Sequence, residues 1–365
     1  MRALSIHAER RRRAALSIAD PKSEPPLDCL MIVGHENVRY LSGFTGSNSA
    51  MLLFADGRAI LYTDPRYKIQ AAQQVDCKVK VAKGPIIKAV LRDFDRSMKT
   101  AIGIEKDHLT VGLLKDFTDK LPTRATVEPV SGHIEKLRLV KDEGEVALIR
   151  QSVDLNSAAF DAALKRMKPG ITESDIAAEI DYRSRRLGAE RPAFDTIVAA
   201  AERAALPHAR PGNAKIGPGM VLIDMGAFRE GYVSDMTRMV HFGKAPAKYK
   251  QAYKAVLEAQ LAAIHAVKPG IRAKAVDAVT RETLTKHNLE KEFVHSTGHG
   301  LGLEIHEAPR LGRKEKTRLE AGMVITIEPG IYIEGWGGIR IEDTVLVTEN
   351  GCEVLTPTSK ELIEL

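Results

Sequence analysis

The chain has 365 residues, which is long enough for two domains of ordinary size, and its 44% apolar and 28% charged residues are typical of a soluble globular protein. Its net charge of +6 is mild, and the only dense basic run, Arg10 to Arg13, is expected to form a solvated helix face. We therefore expect no nucleic-acid partner, because such a partner calls for a basic stripe or a recognised module.

The first twenty residues carry charges where a signal peptide would need an apolar centre, and no later run is apolar enough to span a membrane. Three cysteines, Cys29, Cys77 and Cys352, are too few and too scattered for a disulfide framework or a cysteine-rich zinc site. The sequence thus predicts a cytoplasmic protein without membrane contact.

The first third of the chain alternates between strand-like and helix-like runs. "CLMIVG" and "TAIGIEKD" read as strands, and "AMLLFADGRAILYTD" reads as a hairpin that turns at Asp56-Gly57. We predict an α/β domain over residues 1–135, followed by a second domain over residues 136–365.

From Glu145 the pattern changes to long helices. Apolar residues recur on one face at helical spacing, at Val146, Ile149, Val153, Phe160 and Leu164. The capping pattern T-E-S-D at Thr172 predicts the start of the next helix, which should run to about Leu187 before Gly188.

An internal repeat follows. "KPGI" occurs at 168–171 and 268–271, and the strand openings "GMVLIDMG" at 219–226 and "GMVITIEPG" at 322–330 come after the two copies in the same order. This order predicts a duplicated unit of two helices and a hairpin. The alternative is that Lys-Pro-Gly simply marks two helix ends.

The stretch "VLIDMGAFREGYVSDMTRMV", residues 221–240, reads as a hairpin with an acid on each arm. A loop centred between Arg229 and Glu230 would place Asp224 directly opposite Asp235. Like charges in that position are destabilising, so the pair needs an explanation.

The second hairpin repeats the feature, with Glu328 and Glu342 placed symmetrically about Gly335. Four carboxylates should therefore converge, and two unit charges 4 Å apart repel by about 4 kcal/mol even at an effective dielectric near 20. The acids must share protons, pair with Arg238 or Arg340, or hold cations. Two divalent ions would balance all four charges, whereas proton-sharing sites use only two carboxyls.

Histidines follow in "VHSTGHGLGLEIHEAP", at His295, His299 and His306, with glycines between them that allow close approach of backbone or ligand. The segment is not H-E-x-x-H, so it does not indicate a helical zinc protease. Oxygen ligands with one imidazole suit manganese, cobalt or zinc.

With these residues assembled, the chain resembles the pita-bread-fold metallopeptidases, which include aminopeptidase P, prolidase, methionine aminopeptidase and creatinase. "LIDMGAFREGYVSDMTR", "HSTGHGLGLEIHE", "ITIEPGIY" and "GGIRIEDT" are similar to the family motifs in order, and "NVRYLSGFTGSNSAMLLF" and "YTDPRY" are similar to the creatinase-type amino domain. The resemblance implies an α+β protein: a creatinase-like α/β domain, then a pita-bread domain with an internal pseudo-twofold repeat.

The resemblance also implies a centre of two divalent ions, with manganese as first choice and cobalt or zinc as alternatives. Its implied ligands are Asp224, Asp235, His299, Glu328 and Glu342, of which Asp235 and Glu342 would bridge both ions. Its accessory residues map onto His208, His295, His306 and Arg340. One departure is the pair Ala200-Ala201, where relatives usually have serine and glycine, so the shape of that loop is in question.

The implied activity is hydrolysis of the Xaa-Pro bond at the amino end of peptides by a metal-bridging hydroxide. In this interpretation Glu328 moves the proton, His208 or His306 stabilises the oxyanion, and a pocket near His295 and His306 reads the proline ring. Arg340 either positions Asp235 or balances the hydroxide. The implied partners are peptides with proline in second position and a second copy of the chain, giving a homodimer.

Some alternatives remain open at this point. Aminopeptidase and dipeptidase activity are not separated by the sequence. A non-catalytic peptide- or protein-binding member of the same fold is the competing interpretation, although such members typically lose metal ligands and none is lost here.

Overall fold

A computed structural model describes residues 4–20, 26–94 and 100–365. The chain forms two compact units, Met1–Arg138 and Leu139–Leu365. The division follows the short helix Glu135–Arg138, whereas the predicted boundary after residue 135 would fall inside that helix. Helices and sheets in both units give the predicted α+β class. No described helix has both the length and the apolar character needed to cross a membrane.

The amino unit contains one six-stranded sheet with the order β4-β3-β2-β1-β5-β6. Its strands are β1 (Cys29–Ile32), β2 (Ser49–Phe54), β3 (Ala59–Thr63), β4 (Lys78–Val81), β5 (Thr100–Glu105) and β6 (Ala125–Val130). Its helices are α1 (Ile6–Ala19), α2 (His35–Ser42), α3 (Lys68–Gln74), α4 (Ile86–Leu91), α5 (Val111–Thr118) and α6 (Glu135–Arg138). The predicted strands are β1 and β5, and the predicted hairpin is β2–β3.

The basic run on α1 is not a solvated face throughout, so that prediction is wrong for two of its arginines. Arg10 and Arg11 are buried, and their guanidinium groups donate to the carbonyl oxygens of Tyr40 and Leu41 at 3.3 and 2.8 Å. These carbonyls belong to the last turn of α2, where no intrahelical donors remain and a cation is favoured. The residue periodicity of α1 cannot reveal these hydrogen bonds, because their acceptors lie on another helix.

The carboxy unit begins with the long helices that the sequence predicts. They form two pairs: α7 (Glu143–Leu164) with α8 (Glu173–Leu187), and α9 (Ala247–Ala266) with α10 (Ala273–Lys286). Thr172 caps α8 in a capping box with Asp175, and the helix ends at Gly188, whose φ of 108° suits glycine.

Fourteen short strands complete the carboxy unit. The first half contains β7 (Arg191–Pro192), β8 (Ile197–Ala200), β9 (Gly219–Met225), β10 (Ala227–Arg229), β11 (Tyr232–Val233) and β12 (Met236–Phe242). The second half contains β13 (Gly298–Gly300), β14 (Glu307–Leu311), β15 (Val324–Ile327), β16 (Gly330–Ile333), β17 (Gly337–Arg340), β18 (Asp343–Val347), β19 (Cys352–Val354) and β20 (Ile363–Glu364). The two largest sheets have the orders β20-β12-β9-β8 and β14-β13-β15-β18-β19.

The two copies of "KPGI" have the same backbone structure. Gly170 and Gly270 have φ of 87° and 84°, and their amides donate to the carbonyls of Ile216 and Leu319 at 2.9 and 2.8 Å. Each copy lies between paired helices and precedes a strand hairpin. The repeat is therefore structural, and the two copies do more than mark helix ends.

Each helix pair covers the hairpin of its own half. Apolar residues of α7 and α8, such as Phe160 and Ile180, pack on Val221 and Val240 of β9 and β12. In the second half, Val276 of α10 packs in a core that includes β15 and β18. This burial fixes which strand face turns toward the cavity, since successive side chains point to opposite sides.

The first hairpin has a different register from the predicted one. Asp224 lies opposite Thr237, and the turn consists of Glu230 and Gly231, with φ of 47° and 90°. Such two-residue turns with two positive φ angles match the twist of a hairpin. The turn centre is thus one residue further along than predicted, and Asp235 is displaced from Asp224 by one diagonal step.

The second hairpin has the predicted register. Ile327 pairs with Asp343 and Gly330 pairs with Arg340, on the two sides of Glu328 and Glu342. The ladder is interrupted at these glutamates: the amide of Glu328 donates to the carbonyl of Thr297 at 2.8 Å, and the amide of Glu342 donates to that of Thr237 at 3.3 Å. The carboxylates therefore stand where the hairpin opens.

Candidate metal centre

One cavity of about 790 Å³ in the carboxy unit is lined by every residue that the sequence nominated. These residues are Asp224, Asp235, Glu328, Glu342, His208, His295, His299, His306 and Arg340. They come from both hairpins, from β13, from the segment that precedes β13 and from the loops that follow β8 and β13. The structure brings the whole set together.

The Nε2 atom of His299 points toward the carboxylates. Its Nδ1 lies 3.0 Å from the carbonyl of Gly300, so Nδ1 carries the hydrogen and Nε2 presents a lone pair. That Nε2 is 3.4 Å from Glu328 Oε1 and 3.6 Å from Asp235 Oδ2. Ligand atoms of Asp235, His299 and Glu342 all lie within 4.8 Å of one another. A carbonyl that fixes the second ring nitrogen is the usual support of a metal-binding histidine.

The carboxylates are buried and mutually repulsive. Burial, followed by repulsion from neighbouring acids, raises the pKa of Asp235 and Glu342 well above the usual range. Burial also raises the pKa of Glu328, to about 8. Asp224 Oδ1 and Glu342 Oε1 are buried and have no hydrogen-bond partner among the described residues. Acceptors in this condition indicate that a positive ligand belongs between them.

Arginine side chains account for little of this negative charge. Arg340 donates to Asp224 Oδ2 at 2.6 Å, whereas Arg238 pairs with Asp343 at 2.7 Å and reaches Glu342 at its backbone carbonyl, not at its carboxylate. The salt-bridge alternative therefore covers one carboxylate of four. Carboxylate oxygens with one imidazole nitrogen fit divalent manganese, cobalt or zinc.

Arg340 contacts Asp224 and does not contact Asp235, the acid that the sequence interpretation paired with it. Its Nε donates to Thr237 Oγ1 at 2.9 Å, and the Thr237 hydroxyl donates to Glu342 Oε2 at 2.7 Å. Sequence reasoning missed Thr237 as part of the site. The available signal was its place two residues after Asp235, on the same strand face.

His295 is held by protein groups at both nitrogens. Its Nδ1–H donates to the carbonyl of Ser296 at 2.8 Å, and the Tyr332 hydroxyl donates to Nε2 at 2.9 Å. Arg340 in turn donates to the Tyr332 oxygen at 2.7 Å. Burial and the nearby arginine lower the pKa of His295 to about 4, so the ring is neutral. Only its ring faces and carbons remain for contact with a ligand.

His208 and His306 are exposed to the cavity. The rings of His306 and His299 meet edge to face, with 4.5 Å between centroids. Within the described part of the chain, neither His208 nor His306 has a hydrogen-bond partner for its ring. Both are therefore available to a bound ligand.

Glycines around His299 permit close backbone packing. A Cβ on Gly298 would lie 1.9 Å from the Thr326 carbonyl oxygen, and one on Gly300 would lie 2.2 Å from that of Ala308. Both distances are far below van der Waals contact. The predicted close approach is thus one of backbone to backbone, and it fixes β13 between β14 and β15.

The loop with Ala200-Ala201 is stabilised by hydrogen bonds to a side chain of α8. The buried carboxylate of Glu173 accepts from the amides of Ala200 and Gly212 at 2.8 and 2.9 Å, and from Arg203. Ala201 has φ of 50°, a left-handed conformation that disfavours a Cβ. The backbone at Ala201 therefore adopts a conformation that glycine tolerates better than alanine, at the cost of local strain.

A duplicated helix–hairpin fold whose two hairpins surround a centre of four carboxylates and a histidine defines the class of protein as a metallopeptidase. Residues 147–349 match the family described as "Metallopeptidase family M24", and residues 12–140 match the "Creatinase/Prolidase N-terminal domain". The chain belongs to metallopeptidase family M24. The predicted creatinase-like amino domain and pita-bread domain are both confirmed.

Several relatives match nearly the whole chain. An Xaa-Pro dipeptidase of Pyrococcus horikoshii is 37% identical over 92% of this chain and 95% of its own length. The solved structure of an Xaa-Pro dipeptidase from Bacillus anthracis is 38% identical, covers 98% of this chain and 100% of its own, and superposes with a TM-score of 0.93. An X-Pro aminopeptidase from Thermotoga maritima is 35% identical over 93% of this chain and 98% of its own, with a TM-score of 0.87.

Proposed function

We propose that this protein hydrolyses the Xaa-Pro bond at the amino end of peptides in a metal-dependent reaction. The observation that carries the proposal is the convergence of four carboxylates and His299 on one cavity, where, of the four, Asp224 alone pairs with a described arginine. The activities after which these relatives are named support the same reaction. The non-catalytic alternative has no observation in its favour, because all five predicted ligands are present and converge.

Two divalent cations would be held by Asp224, Asp235, His299, Glu328 and Glu342. Manganese is the first choice, and cobalt or zinc are alternatives. When bound, such ions supply a water of near-neutral pKa and an electrophile for the scissile carbonyl. Two divalent ions and Arg340 leave one positive charge to spare against four carboxylates, which suits an anionic nucleophile or oxyanion.

The side chains have separate parts in the proposed reaction. Glu328, which lies beside His299 and lines the cavity, takes the proton of the attacking water and delivers it to the leaving nitrogen. His208 and His306 donate to the oxyanion that develops on the carbonyl oxygen. Arg340 and Thr237 hold Asp224 and Glu342 in place during both steps.

Apolar groups of the cavity give the substrate a surface to pack against. Phe194, Ile197, Val294 and Ile305 line the same cavity as the acids. We propose that they contact the first residue and the proline ring, whose nitrogen becomes the leaving group. The faces of His295 and His306 belong to the same surface, in keeping with the predicted role in proline recognition.

The proposed reaction has a direct test. The purified protein is assayed with an Xaa-Pro dipeptide and an Xaa-Pro-Yaa tripeptide after strict chelation and after adding manganese, cobalt or zinc. Cleavage of the dipeptide alone indicates a dipeptidase, and cleavage of the tripeptide indicates an aminopeptidase. Full activity after chelation would contradict the metal-dependent reaction. The homodimer and the cytoplasmic location stay predictions, and sedimentation analysis tests the former.

The variant Asp235→Asn tests the ligand set. Losing one of the carboxylates that would hold the metal should lower metal occupancy and reduce Xaa-Pro cleavage by more than the roughly 10- to 100-fold that an outer-shell partner costs. Metal content is measured by mass spectrometry beside the rate. Wild-type metal content together with wild-type activity would remove Asp235 from the proposed centre.

A further inference from the structure

The loop Leu301–Glu307 determines where His306 lies. The His306 side chain is exposed, and among the described residues its ring meets that of His299 but has no hydrogen-bond partner. Its position therefore depends on the backbone of this loop. Exposed loops without such support are among the least stable parts of a protein.

Glu307 holds the loop from within. Its Oε1 accepts from the amides of Leu303 and Glu304 at 2.9 and 3.2 Å. Gly302 lies against the same carboxylate, since a Cβ there would be 2.9 Å from both of its oxygens. The carboxylate thus takes the place of a backbone acceptor inside the turn that precedes His306.

Lys141 holds Glu307 in turn. Its Nζ lies 3.1 Å from Glu307 Oε2, and the two side chains are only 1% and 6% exposed. The backbone of Lys141 is fixed as well, because its amide donates to the Gly322 carbonyl at 2.9 Å and Val140 bridges to Met323. Those residues immediately precede β15, the strand that leads to Glu328. Lys141 therefore ties the histidine loop to the strand of a proposed metal ligand.

We propose that Lys141, acting through Glu307, is a positioning residue that keeps His306 directed into the cavity. The inference rests on the proposed function for its effect on catalysis. Removal of Lys141 takes the ammonium partner away from the buried Glu307 carboxylate, which then tends to move, become neutral or admit water. A carboxylate that moves or loses its charge holds the amides of Leu303 and Glu304 less firmly, and the loop then no longer fixes His306.

A double-mutant cycle with His306 tests this role. Lys141→Met should lower kcat for an Xaa-Pro dipeptide by about 10- to 100-fold, because a displacement of about 1 Å in a catalytic group has effects of this size, with a smaller change in KM. His306→Ala should cost a similar factor. In the His306→Ala background, Lys141→Met should add less than about threefold, since residues that act as a unit are not additive. Wild-type activity of Lys141→Met, or multiplication of the two losses, overturns the proposal.

Amide hydrogen exchange gives a readout that does not need activity. In Lys141→Met and in Glu307→Gln, exchange at Leu303 and Glu304 should become faster while metal stoichiometry stays that of the wild type. If Lys141→Met does not fold, Glu307→Gln, which preserves side-chain shape, bears the same expectations. Unchanged exchange in the loop refutes the clamp. If the wild type cleaves no Xaa-Pro peptide, the proposed function fails, yet the exchange experiment still decides about the clamp.

A matched control is the exposed pair Lys250–Glu364. Lys250 Nζ lies 2.9 Å from Glu364 Oε1, and the two side chains are 43% and 37% exposed. Lys250→Met also removes a lysine from a glutamate, and we expect no effect on kcat or on loop exchange. Lys141→Arg retains the charge and should recover most of the activity lost in Lys141→Met. Failure of arginine to do better than methionine would contradict a role based on charge.

Discussion

The two halves of the carboxy unit share a plan but arrange their acids differently. In the second hairpin the flanking pairs place Glu328 opposite Glu342, whereas in the first hairpin Asp224 lies opposite Thr237. Thr237, the residue opposite Asp224 in the first half, donates to Glu342 of the second. Arg340 of the second half in turn pairs with Asp224 of the first. The duplicated halves are therefore complementary, and each supplies the partner that the other lacks.

The same plan appears in how each half holds its histidine. In the first half, Glu173 of α8 accepts from the amide of Ala200, ahead of His208. In the second half, Asp277 of α10 accepts from the amide and hydroxyl of Thr297 at 3.1 and 2.9 Å, ahead of His299. Both acids are buried. In the proposed reaction, these two acids thus support a histidine that contacts substrate in one half and a histidine that binds metal in the other.

This comparison predicts that substitutions of Glu173 and Asp277 have different consequences. The expected change in metal affinity is the largest effect. Asp277→Asn should lower metal affinity by up to about 100-fold, since it loosens the support of His299. Glu173→Gln should leave metal content unchanged and lower kcat through His208. Metal titrations and steady-state kinetics on both variants check the division. Equal metal loss in the two variants would show that the halves are not specialised.

Thr237 should be the most important side chain that joins the halves. Thr237→Val removes the hydroxyl that donates to Glu342 and accepts from Arg340, and we expect a loss of roughly 10- to 100-fold in activity or metal affinity. Thr237→Ser keeps the hydroxyl and is the control. Thr326→Val tests the other half, where the threonine lies 3.4 Å from Glu328 Oε1, and should cost less. Wild-type activity and metal affinity in Thr237→Val would show that this threonine does not couple the two halves.

The pH dependence of stability sharpens the comparison between the two hairpins. The folded-state pKa of Glu328 is raised to about 8, so in the metal-free protein its stabilising protonated form is lost as pH rises from about 4.5 through 8. Metal-free protein should lose on the order of 1 kcal/mol or more of its free energy of unfolding over this range. Divalent ions should reverse the trend, since they bind the deprotonated acids.

Denaturant titrations at several pH values measure this effect. Glu328→Gln should flatten the dependence in the metal-free protein. A metal-free protein that becomes more stable from pH 5 to pH 8.5 would contradict the raised pKa values. Metal affinity should fall on acidification, because the ligand acids and His299 are then protonated.

The smallest expected effect concerns Ala201. Its φ of 50° costs an L-residue about 1–2 kcal/mol. Glycine avoids this cost, but it loses more conformational entropy on folding, which offsets part of the gain. Ala201→Gly should therefore raise the free energy of unfolding by up to about 1 kcal/mol and leave Xaa-Pro cleavage unchanged. Thermal unfolding measures the shift. A destabilised Ala201→Gly would show that the Cβ is well packed and that the conformation is not strained.

Sequence reasoning nominated residues that line one cavity because they stand in short, recognisable segments. It misplaced the first hairpin by one residue at the turn, since Glu230 adopts a positive φ that its identity does not require. It also treated Arg10 and Arg11 as solvated, although their partners are carbonyls about thirty residues away in α2. Both errors concern pairing, which depends on residues outside the local pattern.

The sequence by itself determined the helices and their caps, the duplication, and the set of acids and histidines, because these depend on residue types at fixed local spacing. Only the tertiary structure decided that Arg340 contacts Asp224, that Thr237 joins the two hairpins and that Lys141 reaches Glu307. These contacts join residues about a hundred or more positions apart. Their geometry follows from turn conformation and burial, which local periodicity does not encode.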